Sequence, residues 1–292
     1  MPSEGYITNN GYQTWYSVHG NIAAPNPPLL VLHGGPGYTH YHLENLAKLA
    51  GNDQAIILYD QLGCGKSDRP DDPKLWTIQL FIDEIAALRN ALHLEEIYLL
   101  GHSWGGSLAV EYMLTKPVGV RKLILSSPLL DSQMWVDEAN TLIDKLPNWA
   151  AMVMRKHQAA DSTDTYEYEQ AYAEYKLRFI CRIRPYPLSL TKADNEAGMA
   201  VYATMWGPSE TCITGTLMGW SVMDRLPEIN IPTLFLSGKY DEASPGQVAA
   251  AHRRIRGSAW HMFEHSSHSA NLEEPEKYLE VVDEFLRHSN QK

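Results

Sequence analysis

The pentapeptide Gly101-His102-Ser103-Trp104-Gly105 constrains this chain more than any other stretch of it. An apolar run, Ile97–Leu100, leads into it, and the helically patterned Leu108–Thr115 follows. A strand that turns at once into a helix leaves no room for a Cβ where the backbone is most crowded. G-x-S-x-G in that setting therefore predicts a strained elbow that lifts one serine out of the end of a sheet. The competing reading is a glycine-rich turn holding a serine by chance. It is weak here, because Gly106 extends the run and a strand and a helix flank it.

Four further runs share the character of Ile97–Leu100: Leu29–Leu32, Ala55–Tyr59, Leu123–Leu125 and Thr233–Leu236. Each is of strand length, ends in turn formers, and is apolar almost throughout rather than at alternate positions. That pattern belongs to strands covered on both faces, hence to a mostly parallel sheet flanked by helices such as Ile78–Leu92. The rhythm stops between about residues 130 and 227, where ANTLIDKLPNWAAMVMRKH and YEYEQAYAEYKLRF are helical in pattern and no strand run stands out. It resumes after Pro227 and closes on EEPEKYLEVVDEFLRH. The expectation is an α/β core made of residues 1–129 and 228–292, with a helical insertion over 130–227. Within the insertion, Tyr168, Tyr172, Tyr175 and Phe179 recur at helical spacing. Such a stripe most simply packs its helix onto neighbours, with a substrate-lining role as the alternative.

A serine hydroxyl needs a general base, and the base needs an orienting carboxylate. Behind an elbow of this type they follow in the order Ser, Asp or Glu, His. Asp241 closes the strand-like PTLFLSGKYD at the carboxyl edge of the sheet. His268 lies in the loop SSHSANLEEP, from which a side chain can reach back over the sheet, whereas His261 falls inside the strand-like AWHMFEH and His265 at its end. The oxyanion formed on an attacked carbonyl calls for N–H donors, each worth about 3 kcal/mol of barrier. One is the backbone N–H of Trp104. The other comes from His33-Gly34-Gly35-Pro36-Gly37, where Gly35 is the choice and Pro36 has no N–H to give.

A formal charge of −11 with no Lys/Arg-rich run disfavours nucleic acid as a partner. No apolar stretch approaches the ~20 residues of a membrane helix, and the first twenty residues lack the basic start and apolar core of a secretory leader. The expectation is a cytoplasmic protein without membrane contact. Three cysteines, Cys64, Cys181 and Cys212, with no CxxC pair argue for reduced thiols. Gly65-Lys66-Ser67 ends like a phosphate loop, but Asp60 stands where G-x-x-x-x-G-K-[ST] requires glycine. His40 and His42 lack an H-E-x-x-H partner and read as surface or loop histidines, so no metal or other cofactor is expected.

Taken together, HGGPG, DQLGCGKS, GHSWGG, WGPSETCITGT and GKYDEASP resemble the proline iminopeptidase family of α/β-hydrolases, which includes the tricorn-interacting aminopeptidase of archaea. The likeness runs from His33 to the final helix. It implies that the insertion is a helical cap over the active site. It also implies that Glu210 in GPSE and Glu242 beside Asp241 hold a substrate's free α-ammonium group, which on desolvation needs countercharge and acceptors. Taken alone, the two glutamates would read as solvated surface groups. Bacterial members usually carry DQRG where this chain has Asp60-Gln61-Leu62-Gly63, and often glycine in place of His102. The expected reaction is release of an N-terminal residue, preferably proline, from a small peptide or amino-acid amide through an acyl-enzyme. An amino-acid amidase, esterase or lactonase on the same scaffold is the alternative, and a binding protein on a retired hydrolase scaffold is remote. Epoxide hydrolases and haloalkane dehalogenases carry aspartate at the elbow, so Ser103 argues against both.

Overall fold

All five apolar runs are strands of a single eight-stranded sheet in the computed structural model, which describes residues 2–287. His288, at the end of the expected last helix, lies outside the described residues. In chain order the strands are β1 (Ser3–Asn9), β2 (Tyr12–His19), β3 (Leu29–Leu32), β4 (Ile56–Tyr59), β5 (Ile97–His102), β6 (Val120–Ser126), β7 (Thr233–Gly238) and β8 (Ala259–Phe263). Their spatial order is β1-β2-β4-β3-β5-β6-β7-β8, parallel from β4 to β8 and antiparallel at the β1-β2-β4 edge.

The two-faced burial that the continuous apolar runs demand is visible residue by residue. Leu30, Leu32, Leu99, Leu123 and Phe235 point into one apolar cluster, with α1 (Ile78–Ala91), α2 (Trp104–Leu114) and α8 (Pro245–His252). Their neighbours Leu29, Val31, Leu100, Ile124 and Leu234 point into another, with the 3-10 helix His40–Leu49, α9 (Ala270–Glu273) and α10 (Pro275–Arg287).

The β1–β2 hairpin lies outside the sequence reading. Its turn uses Asn10 and Gly11, both at positive φ (51° and 84°), the dipeptide signature of a tight hairpin.

Between β6 and β7 the chain forms α3 (Ser132–Ile143), α4 (Asn148–Ala159), α5 (Tyr166–Tyr175), a π-helical turn over Lys176–Ile180, α6 (Leu188–Asn195), α7 (Met199–Met205) and a 3-10 helix over Met223–Glu228. Parts of α3, α4, α5 and the π turn share a small core of their own around Ile143, Met154 and Tyr175, whereas Val201 and Met205 of α7 join the main core. The aromatic stripe divides between the two roles considered for it. Tyr168, Tyr175 and Phe179 are buried in the small core, and Tyr168 and Tyr172 also face a cavity beneath the helices, so the packing reading alone is incomplete.

Candidate active site

β5 delivers Ser103 as the first residue beyond its end, in a backbone conformation with φ 56° and ψ −121° that side-chain-bearing residues rarely adopt. The turn is held from several sides. The Ser103 N–H donates to Ser126 O at 3.0 Å, and Ser103 O accepts from the N–H groups of Gly106 and Leu129. A Cβ on Gly101 would lie 2.1 Å from Gly105 O, and one on Gly105 would lie 2.2 Å from Leu32 O. The two glycines are thus required where strand, helix and the neighbouring β3 cross.

His268 and Asp241 come from the two loops that follow β8 and β7. His268 Nδ1 lies 2.8 Å from Asp241 Oδ1, and that carboxylate also accepts from the Ala243 N–H at 2.8 Å and the Ser127 hydroxyl at 2.6 Å. Because the carboxylate is an acceptor, the imidazole proton belongs on Nδ1 and Nε2 is bare. Backbone bonds hold the histidine at both ends. Its N–H donates to Phe179 O at 3.1 Å in the π-helical turn, and its carbonyl accepts from His102 Nε2 at 3.0 Å. The rings of His102 and Trp135 stand edge-on to it, at 4.7 and 5.7 Å between centroids.

Ser103 and His268 open on a cavity of about 320 Å³ roofed by the helical insertion. Its floor includes Gly34, Gly35 and Gly37, and its walls carry Tyr38, Tyr168, Tyr172, Tyr186 and Tyr202. Trp104 is buried behind this surface, its indole turned to Gln61. Glu210 and Glu242 both line the cavity, Glu242 buried and Glu210 half-buried, rather than standing on the outer surface. Glu210 accepts from the Tyr202 hydroxyl at 2.7 Å. Glu242 is 2% exposed, its Oε1 lies 3.9 Å from His268 Nε2, and its Oε2 has no hydrogen-bond partner. Burial raises the pKa of Glu210, with the Tyr202 hydrogen bond opposing. Glu242 is pushed well above the ordinary carboxylate range by burial first, then by the charges of Glu210 and Asp241, with the nearby Tyr175 hydroxyl, itself without a full hydrogen bond, opposing. Neither forms an ion pair with Lys or Arg among the described residues.

Several residues around the site carried no sequence signal. Ser127, itself at φ 47°, and His102 are single polar residues whose partners lie far along the chain. Burial holds His102 neutral, with its pKa near 3. The reading of His40 and His42 as surface or loop histidines is corrected. They are 4% and 3% exposed on the 3-10 helix His40–Leu49, with His40 Nδ1 paired to Asp60 at 2.7 Å and His42 on the cavity wall. Asp60 also accepts from the His40 and Lys66 N–H groups, so Gly65-Lys66-Ser67 is a turn folded around that carboxylate. Among the described residues, one group of metal-ligand types converges: His33, Asp60 and Cys64. Its atoms are already engaged, since His33 Nε2 accepts from the Gln61 N–H and Asp60 serves His40 and the turn. All three cysteines are free. No helix among the described residues is long and apolar enough to cross a membrane.

Residues 27–275 match the family model of the alpha/beta hydrolase fold. A proline iminopeptidase of Heyndrickxia coagulans is 39% identical over 287 residues, covering 98% of this chain and 99% of that one. The chain belongs to the proline iminopeptidase family of α/β-hydrolases. Among solved structures, VinJ superposes with a TM-score of 0.95 at 37% identity, covering 98% of this chain and 99% of its own. The proline iminopeptidase of Mycobacterium smegmatis superposes with a TM-score of 0.89 at 36% identity, with 97% of each chain covered.

Proposed function

We propose that this protein is a serine aminopeptidase that releases an N-terminal residue, preferably proline, from small peptides or amino-acid amides. The observation that carries the reading is the unpartnered Glu242 Oε2 beside Glu210 in the cavity that holds Ser103. A buried carboxylate oxygen without a donor is costly unless a ligand supplies one, and two carboxylates with no Lys or Arg partner among the described residues suit a cation. A prolyl N-terminus is a secondary ammonium with two N–H groups, one for each glutamate. Relatives named proline iminopeptidases at 35–39% identity support the same reading.

With the ammonium so held, the scissile carbonyl lies over Ser103. His268 Nε2 takes the hydroxyl proton as Oγ attacks, and Asp241 stabilises the imidazolium. Gly35 and Trp104 offer backbone N–H groups to the oxyanion. The proton passes to the leaving amine, and a water activated by His268 frees the acid. Residues 130–227 act as a cap that closes the pocket around the first residue. The free thiols support a cytoplasmic setting.

A fluorophosphonate probe tests the nucleophile, and turnover of proline p-nitroanilide, proline amide and p-nitrophenyl acetate tests the class. Labelling lost in Ser103→Ala, with the prolyl substrates ahead of the ester in kcat/KM, is the expected result. Absent labelling, or an ester turned over best, would overturn the reading.

A further inference from the structure

Gln61 is fully buried and is not among the residues of the cavity wall, yet its side chain joins the two segments that flank the nucleophile. Its Nε2 donates to His33 O at 2.9 Å, at the start of the glycine loop that carries Gly35. Its Oε1 accepts from the Trp104 indole N–H at 3.0 Å, on the residue that follows Ser103. Its own backbone N–H donates to His33 Nε2 at 2.9 Å. His33 Nδ1 lies 2.9 Å from Gly34 O, a carbonyl that can only accept, so Nδ1 carries the proton and Nε2 is bare. One tautomer of His33 therefore satisfies the whole set. Burial, which lowers the His33 pKa to about 4, keeps the ring neutral. Gln61 is itself fixed by its neighbours: Asp60 by His40 and Lys66, and the Leu62 N–H by Glu84 Oε1 at 2.9 Å.

We propose that Gln61 is a positioning residue that sets the spacing between the two oxyanion donors, the N–H groups of Gly35 and Trp104. This rests on the assignment of those donors under the proposed function. The donors sit on different elements, the loop after β3 and the start of α2, and one amide ties the two together through His33 O and the Trp104 indole. A carboxamide is the natural bridge, offering a donor to a carbonyl at one end and an acceptor to an indole at the other. A misplacement of about 1 Å in such a site costs roughly 100-fold in rate.

The test uses Gln61→Met, which keeps the volume and deletes both bonds, and Gln61→Glu, which keeps the acceptor for Trp104 but sets a carboxylate oxygen against His33 O. Both are assayed on proline p-nitroanilide and on p-nitrophenyl acetate, with prolinal and proline as inhibitors. Prolinal adds to Ser103 and places a hemiacetal oxygen in the hole; proline does not. The expected result is a fall in kcat of roughly 10- to 100-fold on both substrates with KM within about threefold. Prolinal should weaken by the same factor and proline by less than about twofold. Trp104→Phe combined with Gln61→Met should lose little more than either change alone. A soluble variant with kcat within about threefold of wild type, or prolinal and proline weakened alike, would overturn the proposal. If Gln61→Met does not fold, Gln61→Glu decides on the same readouts. The ester arm separates this outcome from failure of the aminopeptidase reading: a wild-type enzyme that ignores free-amine substrates still uses the hole on the ester.

Discussion

Glu242→Gln keeps the shape of the side chain and deletes its charge. In the folded protein this carboxyl is held well above its usual range by burial and by the charges of Glu210 and Asp241, which favours a proton on the pair in the empty pocket. An arriving ammonium displaces that proton, and part of the attraction is consumed in doing so. Removing one partner of a buried charge pair costs about 2–5 kcal/mol. The displaced proton places this case at the low end, about 2 kcal/mol, or roughly 30-fold in kcat/KM. The loss should fall on KM for proline p-nitroanilide and leave p-nitrophenyl acetate within about twofold. The pH dependence follows from the raised pKa values. In the wild type, KM for the amine substrate should fall as pH rises through the glutamate pair, and Glu242→Gln should remove the higher of the two steps. Steady-state kinetics on both substrates from pH 5 to 8 reads all of this. Equal losses on amine and ester, or an unchanged amine KM, would rule out this role for Glu242.

Glu84, buried and pushed up to about 8, holds a proton in the folded chain that the unfolded chain loses near 4.5. Its contribution to stability is full below that lower value and declines by about 1.4 kcal/mol per unit as pH rises towards 8. Glu84→Gln retains an acceptor for Thr14 and the Leu62 N–H and should flatten the fall in urea midpoint between pH 5 and 8; an unchanged slope would contradict this. His102→Ala removes the donor that grips the His268 carbonyl and should lower kcat roughly 10-fold or more with little change in KM; a kcat within about twofold of wild type would count against it. Tyr202→Phe deprives Glu210 of its hydroxyl and should raise KM for amine substrates about 5- to 10-fold without affecting the ester, which inhibition by proline can check independently.

The fold could be read from the sequence wherever one segment carried its own pattern. Leu29–Leu32 and Leu234–Leu236 are apolar at every position because alternate side chains enter opposite cores, the pattern of a doubly covered strand. β1 and β2 lack such a run: Ser3–Asn9 is mostly exposed, and its one legible clue was the Asn10-Gly11 turn. At the site, Ser103 announced itself through glycines whose absence of a Cβ is a local necessity, and Asp241 and His268 through chain order and loop position. Gln61, His102 and Ser127 gave no comparable sign. Each is a lone polar residue whose partners lie 28 to 166 positions away, so the bonds that define it exist only once the chain has folded. His40 misled for the same reason, since its partner Asp60 is brought to it by the crossover between β3 and β4.

Whether Glu210 and Glu242 read a free amino end is decided by comparing kcat/KM for proline p-nitroanilide with that for N-acetylproline p-nitroanilide on the wild-type enzyme. Acetylation removes the positive charge and both N–H groups while leaving the scissile bond unaltered. The free amine should be preferred by at least about 100-fold, the equivalent of roughly 3 kcal/mol. Equal turnover of the two would contradict it.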